Sequence, residues 1–471
     1  MMEVNSNRVL TLLRLVMINI IAVDSLRNLS LTAQAGWMAI SFYIIAGVLF
    51  LLPLALIVSE LATAWPKTGG IYLWTKQAFG AKFGFIILFL QWVYNLVWFP
   101  SICGFIAGII AYLVAPGLHI SALSLVDNPY YMIAMSLVMY WIATLVSLFG
   151  LKISSTVSLL GAILGTLIPM LIIIILALVW WLNGYPVAHP PTLAQSLPSM
   201  TNINHWAVFL TVMFSLLGLE MSAIHAGNVK NPKKNFPRAM VISALVIVLS
   251  LILANCALLV VSSNLDHSVD SVAGLIESFS YFFTQFHLGW MRYVVAASLI
   301  LGAFSTMSTW IMGLSRGFLV AGEDKLLPNV LVKCNRHQAP SRILITQGII
   351  FSILCLSYIV LPSVHSAYWY LSALTAQLAL IAYIGMFLAA IKLKLNDQIK
   401  PNQFVIPGGS ASTIALASVA LIICIISIIV GFIPTPDVLM PNSNFIELLL
   451  AGILIALIIP YIWTKLIKTE G

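Results

Sequence analysis

Long apolar stretches alternate with short polar connections along this chain. Twelve stretches are long enough to cross a bilayer, at about 11–34, 37–60, 83–114, 129–149, 153–182, 205–228, 237–262, 287–320, 342–362, 367–394, 411–433 and 445–466. Most exceed the ~20 residues that a membrane helix needs, so several are expected to tilt. The pattern predicts an all-α membrane protein of twelve transmembrane helices, organised as one integral domain over residues 1–471 without a soluble module. The longest external connections fall at about 115–128, 183–204 and 263–286. The second holds Pro186, Pro190, Pro191 and Pro198 and reads as a surface loop. The third has room for a short interfacial helix around Val272–Phe283. The first stretch follows a short polar leader without a small-residue cleavage pattern, and reads as retained rather than as a signal peptide.

Two stretches lose their uniform apolarity at mid-depth. The first carries Asp24-Ser25-Leu26-Arg27-Asn28 and the sixth Ser215-Leu216-Leu217-Gly218-Leu219-Glu220. A basic, turn-rich run from Lys230 to Arg238 follows the sixth. A lone carboxylate at bilayer depth is costly and persists where it faces a cavity, a pathway or a partner. Glycine beside it suggests a helix that breaks there, and broken helices at membrane depth line binding sites. Each interrupted stretch opens a block of five. The chain therefore reads as two inverted repeats, about 11–182 and 205–395, with two extra helices over about 411–466. The symmetry is one of hydropathy, without residue-level self-similarity.

Composition narrows the class. With 61% hydrophobic and 8% charged residues, a soluble globule is excluded. The net charge of +8 would suit nucleic acid, but its placement does not. With a cytoplasmic N-terminus, 19 of the 22 lysines and arginines fall in cytoplasmic segments. Only Arg27, Arg292 and Arg316 remain, none of them in an external loop, whereas those loops carry Asp127, Asp266, Asp270, Glu277 and Asp437. This asymmetry predicts cytoplasmic termini and no nucleic-acid partner. Cys103, Cys256, Cys355 and Cys424 lie within spans and Cys334 in a cytoplasmic loop, with neither a disulfide framework nor metal-ligand spacing. No nucleophile–base constellation or nucleotide loop is present, so neither enzyme activity nor a cofactor is expected.

The polar mid-span residues are the candidate chemistry. Burial disfavours the charged form of a carboxyl, which suits Glu220 to loading and releasing a proton; the alternative is a structural carboxylate accepting amides of the broken helix. Asp24 and Arg27 share a face at i, i+3 and can pair on a continuous helix. Alternatively, Arg27 meets a substrate carboxylate in the fork geometry that arginine allows. A zwitterion fits such breaks, its carboxylate meeting amides around Ser25–Asn28 and its ammonium meeting carbonyls around Phe214–Leu217. Gln91, Tyr94, Asn95 and Trp98 form one polar-aromatic stripe on span three, either bonding neighbouring helices or facing a cavity. Ser305, Thr306, Ser308 and Thr309 on span eight offer hydroxyls for a sodium ion.

Glu60-Leu61-Ala62-Thr63-Ala64-Trp65-Pro66-Lys67-Thr68-Gly69-Gly70-Ile71-Tyr72 at the exit of span two resembles the amino acid–polyamine–organocation superfamily, as do Gly218-Leu219-Glu220 with Asn231-Pro232-Lys233-Lys234-Asn235-Phe236-Pro237. Ser315-Arg316-Gly317 and Phe404-Val405-Ile406-Pro407-Gly408-Gly409 agree. Within it, the chain most resembles the bacterial glutamate/GABA antiporters, and next the arginine/agmatine antiporters. The resemblance implies the five-plus-five inverted-repeat fold of the leucine-transporter type. It also implies exchange of amino acids or their amines by alternating access. The family's proton-sensing and gating glutamate falls on Glu220, its aromatic gate on Phe214, its site tryptophan on Trp310 and a span-ten tyrosine on Tyr383. The chain departs from the family at Ala22-Val23-Asp24-Ser25-Leu26-Arg27, where many members carry a Gly-Ser/Ala-Gly break. The acid-resistance glutamate exchanger also lacks that triplet, yet has neither an Asp and Arg to match nor a threonine at the place of Thr306. The candidate substrate set is thus Asp24, Ser25, Arg27, Asn28, Tyr94, Phe214, Ser215, Gly218, Trp310 and Tyr383, with Glu220 for proton coupling and gating. Expected partners are an amino acid or related amine, the bilayer and protons, with a homodimer as one assembly. The alternative is a proton- or sodium-coupled symporter. The fixed cation of some relatives in mid-span five has no counterpart, because Lys152 lies at the cytoplasmic mouth and 156–168 hold no charge.

Overall fold

A computed structural model describes residues 10–187, 192–199, 205–206, 208–261, 274–397, 403–434 and 441–467. Among them the regular structure is helical, apart from an isolated bridge between Leu10 and Val229. The helices used below are α1 (Leu12–Val23), α2 (Arg27–Thr32), α3 (Met38–Ala64), α4 (Ile71–Phe79), α5 (Ala81–Val114), α6 (Pro129–Leu148) and α7 (Ile153–Leu182). There follow α8 (Phe209–Ser215), the 3-10 helix α9 (Leu219–Asn228), α10 (Pro232–Val261), α11 (Gly274–Gln285), α12 (Met291–Glu323), α13 (Ser341–Leu354), α14 (Val364–Leu395), α15 (Gly409–Val430) and α16 (Asn442–Leu466).

Among the described residues, eleven helices are long and apolar enough to cross a membrane, with α8 and α9 together forming one of them. The first apolar stretch, expected as a full span, is divided into α1 and α2, and α1 alone is a shorter apolar helix. Thr11 caps α1 by accepting the Arg14 amide, and the helix ends where Asp24 turns to φ −76°, ψ 87°. Asp24 and Ser25 are poor helix residues because their side chains compete for backbone groups. In the sixth stretch, α8 ends at Ser215 and Gly218 takes φ 117°, a region that costs glycine nothing. The chain then tightens into α9.

The long helices wrap these two interrupted segments. Packing of α14 against α5 and α15, and of α12 against α5 and α7, forms most of the frame. Where α7 meets α12, a Cβ on Gly302 would lie 2.2 Å from the Gly165 carbonyl oxygen. The two backbones touch there, which is how small residues let membrane helices approach. The outer surface exposes large apolar side chains such as Leu171, Leu249, Ile353, Ile422 and Ile455, as a lipid-facing surface must.

One end of the bundle is tied by charge. Lys76 Nζ on α4 lies 2.6 Å from Asp324 Oδ1 just beyond α12, and the Tyr72 hydroxyl donates to the other oxygen of the same carboxylate. Burial, and then the hydrogen bond to Asp324, raise the Tyr72 phenol, so it remains a donor. The expected helix around Val272–Phe283 appears as α11, beginning at Gly274, and Val272 lies outside the described residues. Arg8, Asp266, Asp270, Lys400, Asp437 and Lys468 also lie outside them, as do Pro190 and Pro191.

Candidate functional site

The two breaks meet. In a continuous first helix the Ala22 carbonyl would accept an amide four residues on; here it accepts the Trp310 indole N–H at 3.2 Å. Gly218 closes over the same point: a Cβ there would fall 2.8 Å from the Trp310 ring and 2.9 Å from the Ala22 oxygen. Both its positive φ and this approach require glycine. The Gly218 amide donates to the Tyr383 hydroxyl oxygen on α14 at 2.8 Å.

Tyr383 in turn donates its hydroxyl proton to Glu220 Oε2. Glu220 Oε1 accepts from Gln91 Nε2 at 3.0 Å and from the Tyr94 hydroxyl at 3.5 Å, both on α5. The carboxyl is 2% exposed, and all three donors are neutral. Among the described residues no cation pairs with it. A carboxyl so held has hydrogen bonds without an opposing charge, and it joins α5, α9 and α14 in one layer.

Directly on this layer sits a cavity of about 30 Å³, lined by Ala22, Val23, Ser25 and Asn28 from the first break, by Phe214 and Leu217 from the second, and by Tyr94, Asn95, Trp98, Thr306, Trp310 and Thr375. The space between the two breaks is thus narrow. Trp310 packs edge-on to Tyr94 and Trp98, with ring centroids 6.1 and 6.2 Å away.

The sequence pattern of the amino acid permease family matches residues 9–458. The chain belongs to the amino acid permease family. It is 42% identical to an uncharacterised transporter of Legionella pneumophila, over 98% of this chain and 97% of that protein. It is 28% identical to a glutamate/gamma-aminobutyrate antiporter of Lactococcus lactis, over 91% of this chain and 85% of that one. A probable agmatine/putrescine antiporter of the same species is 26% identical over 83% and 81%. These relatives are transporters, and this permease is a multi-pass membrane protein of a family of amino acid carriers.

In the permease, the residues expected at the site separate into four groups. Ser25, Asn28, Tyr94, Phe214 and Trp310 line the cavity. Gly218, Glu220 and Tyr383 form the hydrogen-bonded layer against it. Arg27 is behind the lining, its guanidinium 5.3 Å from the Phe214 ring centroid and bonded to Asn28. Asp24 and Ser215 turn away: Asp24 Oδ2 accepts from Ser250 on α10 at 3.0 Å, while the Ser215 hydroxyl donates to the Val212 carbonyl at 2.7 Å and lies 3.2 Å from the Tyr43 hydroxyl. The Asp24–Arg27 pair expected from i, i+3 spacing does not form, because that spacing aligns side chains only on a continuous helix and the break lies between them. The carbonyls expected to be free near Phe214 are partly used by local turns, with Met213 and Phe214 accepting the amides of Leu216 and Leu217. Of the span-eight hydroxyls, Thr306 and Thr309 bond back along α12, whereas those of Ser305 and Ser308 are buried without a partner.

Sequence reasoning missed Ser101, Ser372 and the Glu60–Lys394 pair. Lys394 Nζ lies 2.6 Å from Glu60 Oε1, and Thr413 donates to Glu60 Oε2 at 2.9 Å. The signal was present: Ser372, Tyr383 and Lys394 recur every three turns of α14. They therefore share one face at steps of about 16 Å, by the 1.5 Å rise per residue. That face meets Arg27, then Glu220, then Glu60.

Proposed function

We propose that this permease is a secondary active exchanger of an amino acid and a related amine or amino acid, working by alternating access in the inner membrane. In this reading the divided first stretch counts as a twelfth span, and the chain is two five-helix inverted repeats with two extra helices. Both termini are cytoplasmic, as the lysine distribution favours. The breaks at Ser25–Asn28 and Phe214–Gly218 hold the zwitterion at the cavity, with Tyr94, Trp310 and Asn28 around it, and Phe214 closes the path toward the outer end. Glu220 takes and gives the proton that couples the cycle. Tyr383, Gln91 and Tyr94 hold its carboxyl until the layer opens.

The observation that carries this reading is the meeting of two helix breaks at a narrow cavity that rests on a buried carboxyl without an ion pair among the described residues. Such groups in membranes default to pathways and couplings. A sodium-driven symporter is the second reading, favoured by the unpartnered hydroxyls of Ser305 and Ser308. Counterflow in proteoliposomes separates the two. Exchange predicts that efflux of a preloaded labelled amino acid requires unlabelled substrate outside and ignores sodium. Uptake that needs a sodium gradient and is indifferent to internal substrate would reverse the order.

A further inference from the structure

Arg27 is wholly buried, and no carboxylate among the described residues pairs with it. Its Nη1 donates to Asn28 Oδ1 at 2.9 Å, and its Nη2 donates to the hydroxyls of Ser101 and Ser372, each at 2.9 Å. The rings of Phe214 and Tyr368 lie 5.3 and 5.1 Å from the guanidinium carbon. Its Nε has no hydrogen-bond partner. Every one of these neighbours is neutral. Asp24, three residues earlier, is engaged by Ser250 on α10 instead.

Arginine does not escape burial by losing its proton. Its charge has therefore been taken out of water at a large desolvation cost, which hydroxyls, an amide and two rings offset only in part. A helix contact needing hydrogen bonds alone could be made by a neutral side chain.

The guanidinium also touches the linings of two cavities. Asn28 and Phe214 line the central cavity, whereas Phe214 and Ser372 line a second one of about 30 Å³. That second cavity runs past Leu31 and Trp369 to Gly431 and Phe445, toward the end of the bundle opposite Lys394. Phe214 is the common wall, and Arg27 holds one lining residue of each cavity. A path that joined the two past Phe214 would run beside this fixed positive charge.

We infer that Arg27 selects the charge class of the cargo: it admits molecules that carry a carboxylate and no net positive charge, and it turns back diamines and guanidino-amines. The inference rests on the carrier reading above and adds the sign of the cargo to it. A passing carboxylate exchanges neutral acceptors such as Ser101 and Ser372 for itself and can take two N–H groups at once, the arrangement arginine favours. A cation that comes beside Arg27 meets a like charge in a poorly screened interior.

The test is a competition panel in proteoliposomes at neutral pH. Exchange of a labelled neutral amino acid is competed with glutamate, gamma-aminobutyrate, putrescine and agmatine, in wild type, Arg27→Gln and Arg27→Lys, with thermal stability measured for each. In wild type the carboxylate-bearing competitors should inhibit at concentrations at least tenfold below the two cations. Arg27→Gln should shrink that ratio at least tenfold, while Arg27→Lys, which keeps the charge but not the fork, should keep its direction. Equal inhibition of wild type by putrescine and by glutamate overturns the inference without any variant. A folded Arg27→Gln that loses affinity for all competitors alike, with the ratio unchanged, overturns it as well and makes Arg27 a structural tie. If folded wild type moves no label, the carrier reading itself falls, and the selector with it.

Discussion

Glu60 and Glu220 are the same side chain in nearly the same degree of burial, 1% and 2% exposed, yet they are held in opposite ways. Glu60 has a lysine at 2.6 Å and a threonine hydroxyl at 2.9 Å. Glu220 has two tyrosines and a glutamine. Both contact the same face of α14, about 16 Å apart by the helical rise. The Glu60 layer joins the ends of α3 and α14 to the start of α15 at the lysine-rich end of the bundle. A buried pair of this kind holds its register strongly, because opening it strands a charge. The Glu220 layer sits against the cavity, where no lysine or arginine opposes the carboxyl. Its donors serve a charged or a neutral carboxyl, so the side chain can change state without losing every partner. In the proposed cycle the Glu60 pair is a fastening and the Glu220 carboxyl the moving part.

The comparison is easiest to break at the fastening. Lys394→Met leaves Glu60 buried and alone, and should cost about 3–5 kcal/mol, read as a large fall in the thermal midpoint of the detergent-solubilised protein. Adding Glu60→Leu should recover most of it, because an apolar pair of similar volume replaces the ions. If the single variant is as stable as wild type, the pair is not a fastening. A smaller effect is expected at the moving layer from Gly218→Ala. The positive φ costs a non-glycine residue about 1–3 kcal/mol. The added methyl also meets Trp310 and Ala22, so transport should fall further than stability does. Transport and stability falling in parallel would mean that Gly218 serves the fold alone. Least costly to the fold is Glu220→Gln. It keeps an acceptor for Tyr383 or Gln91 and should change stability by less than about 1 kcal/mol, the worth of one exchanged hydrogen bond.

Much of this was legible before any coordinates. The apolar stretches gave the helices because their length is set by the bilayer, and the polar mid-span runs located both breaks because Asp24, Ser25 and Gly218 are poor helix residues. Glu220 stood out because a carboxylate in lipid is conspicuous by itself. What the sequence could not resolve was partnership across distant helices. Asp24 and Arg27 looked like a pair on a helical wheel, but the break sends one to Ser250 and the other to Ser101 and Ser372. Ser215 read as a site residue by position, and its hydroxyl satisfies the last turn of α8 and Tyr43. The Glu60–Lys394 pair joins residues over three hundred positions apart, and only the spacing of Ser372, Tyr383 and Lys394 along α14 hinted at it.

The central claim is that the unpaired carboxyl in the layer against the cavity is the element that couples protonation to movement of cargo. The direct measurement is the pH profile of amino acid counterflow in proteoliposomes, for wild type and Glu220→Gln at matched protein density. The account predicts a pH-dependent rate in wild type and a flattened profile in the variant, with thermal stability nearly unchanged. A variant whose profile overlays that of wild type would contradict it and return Glu220 to the role of a structural acceptor.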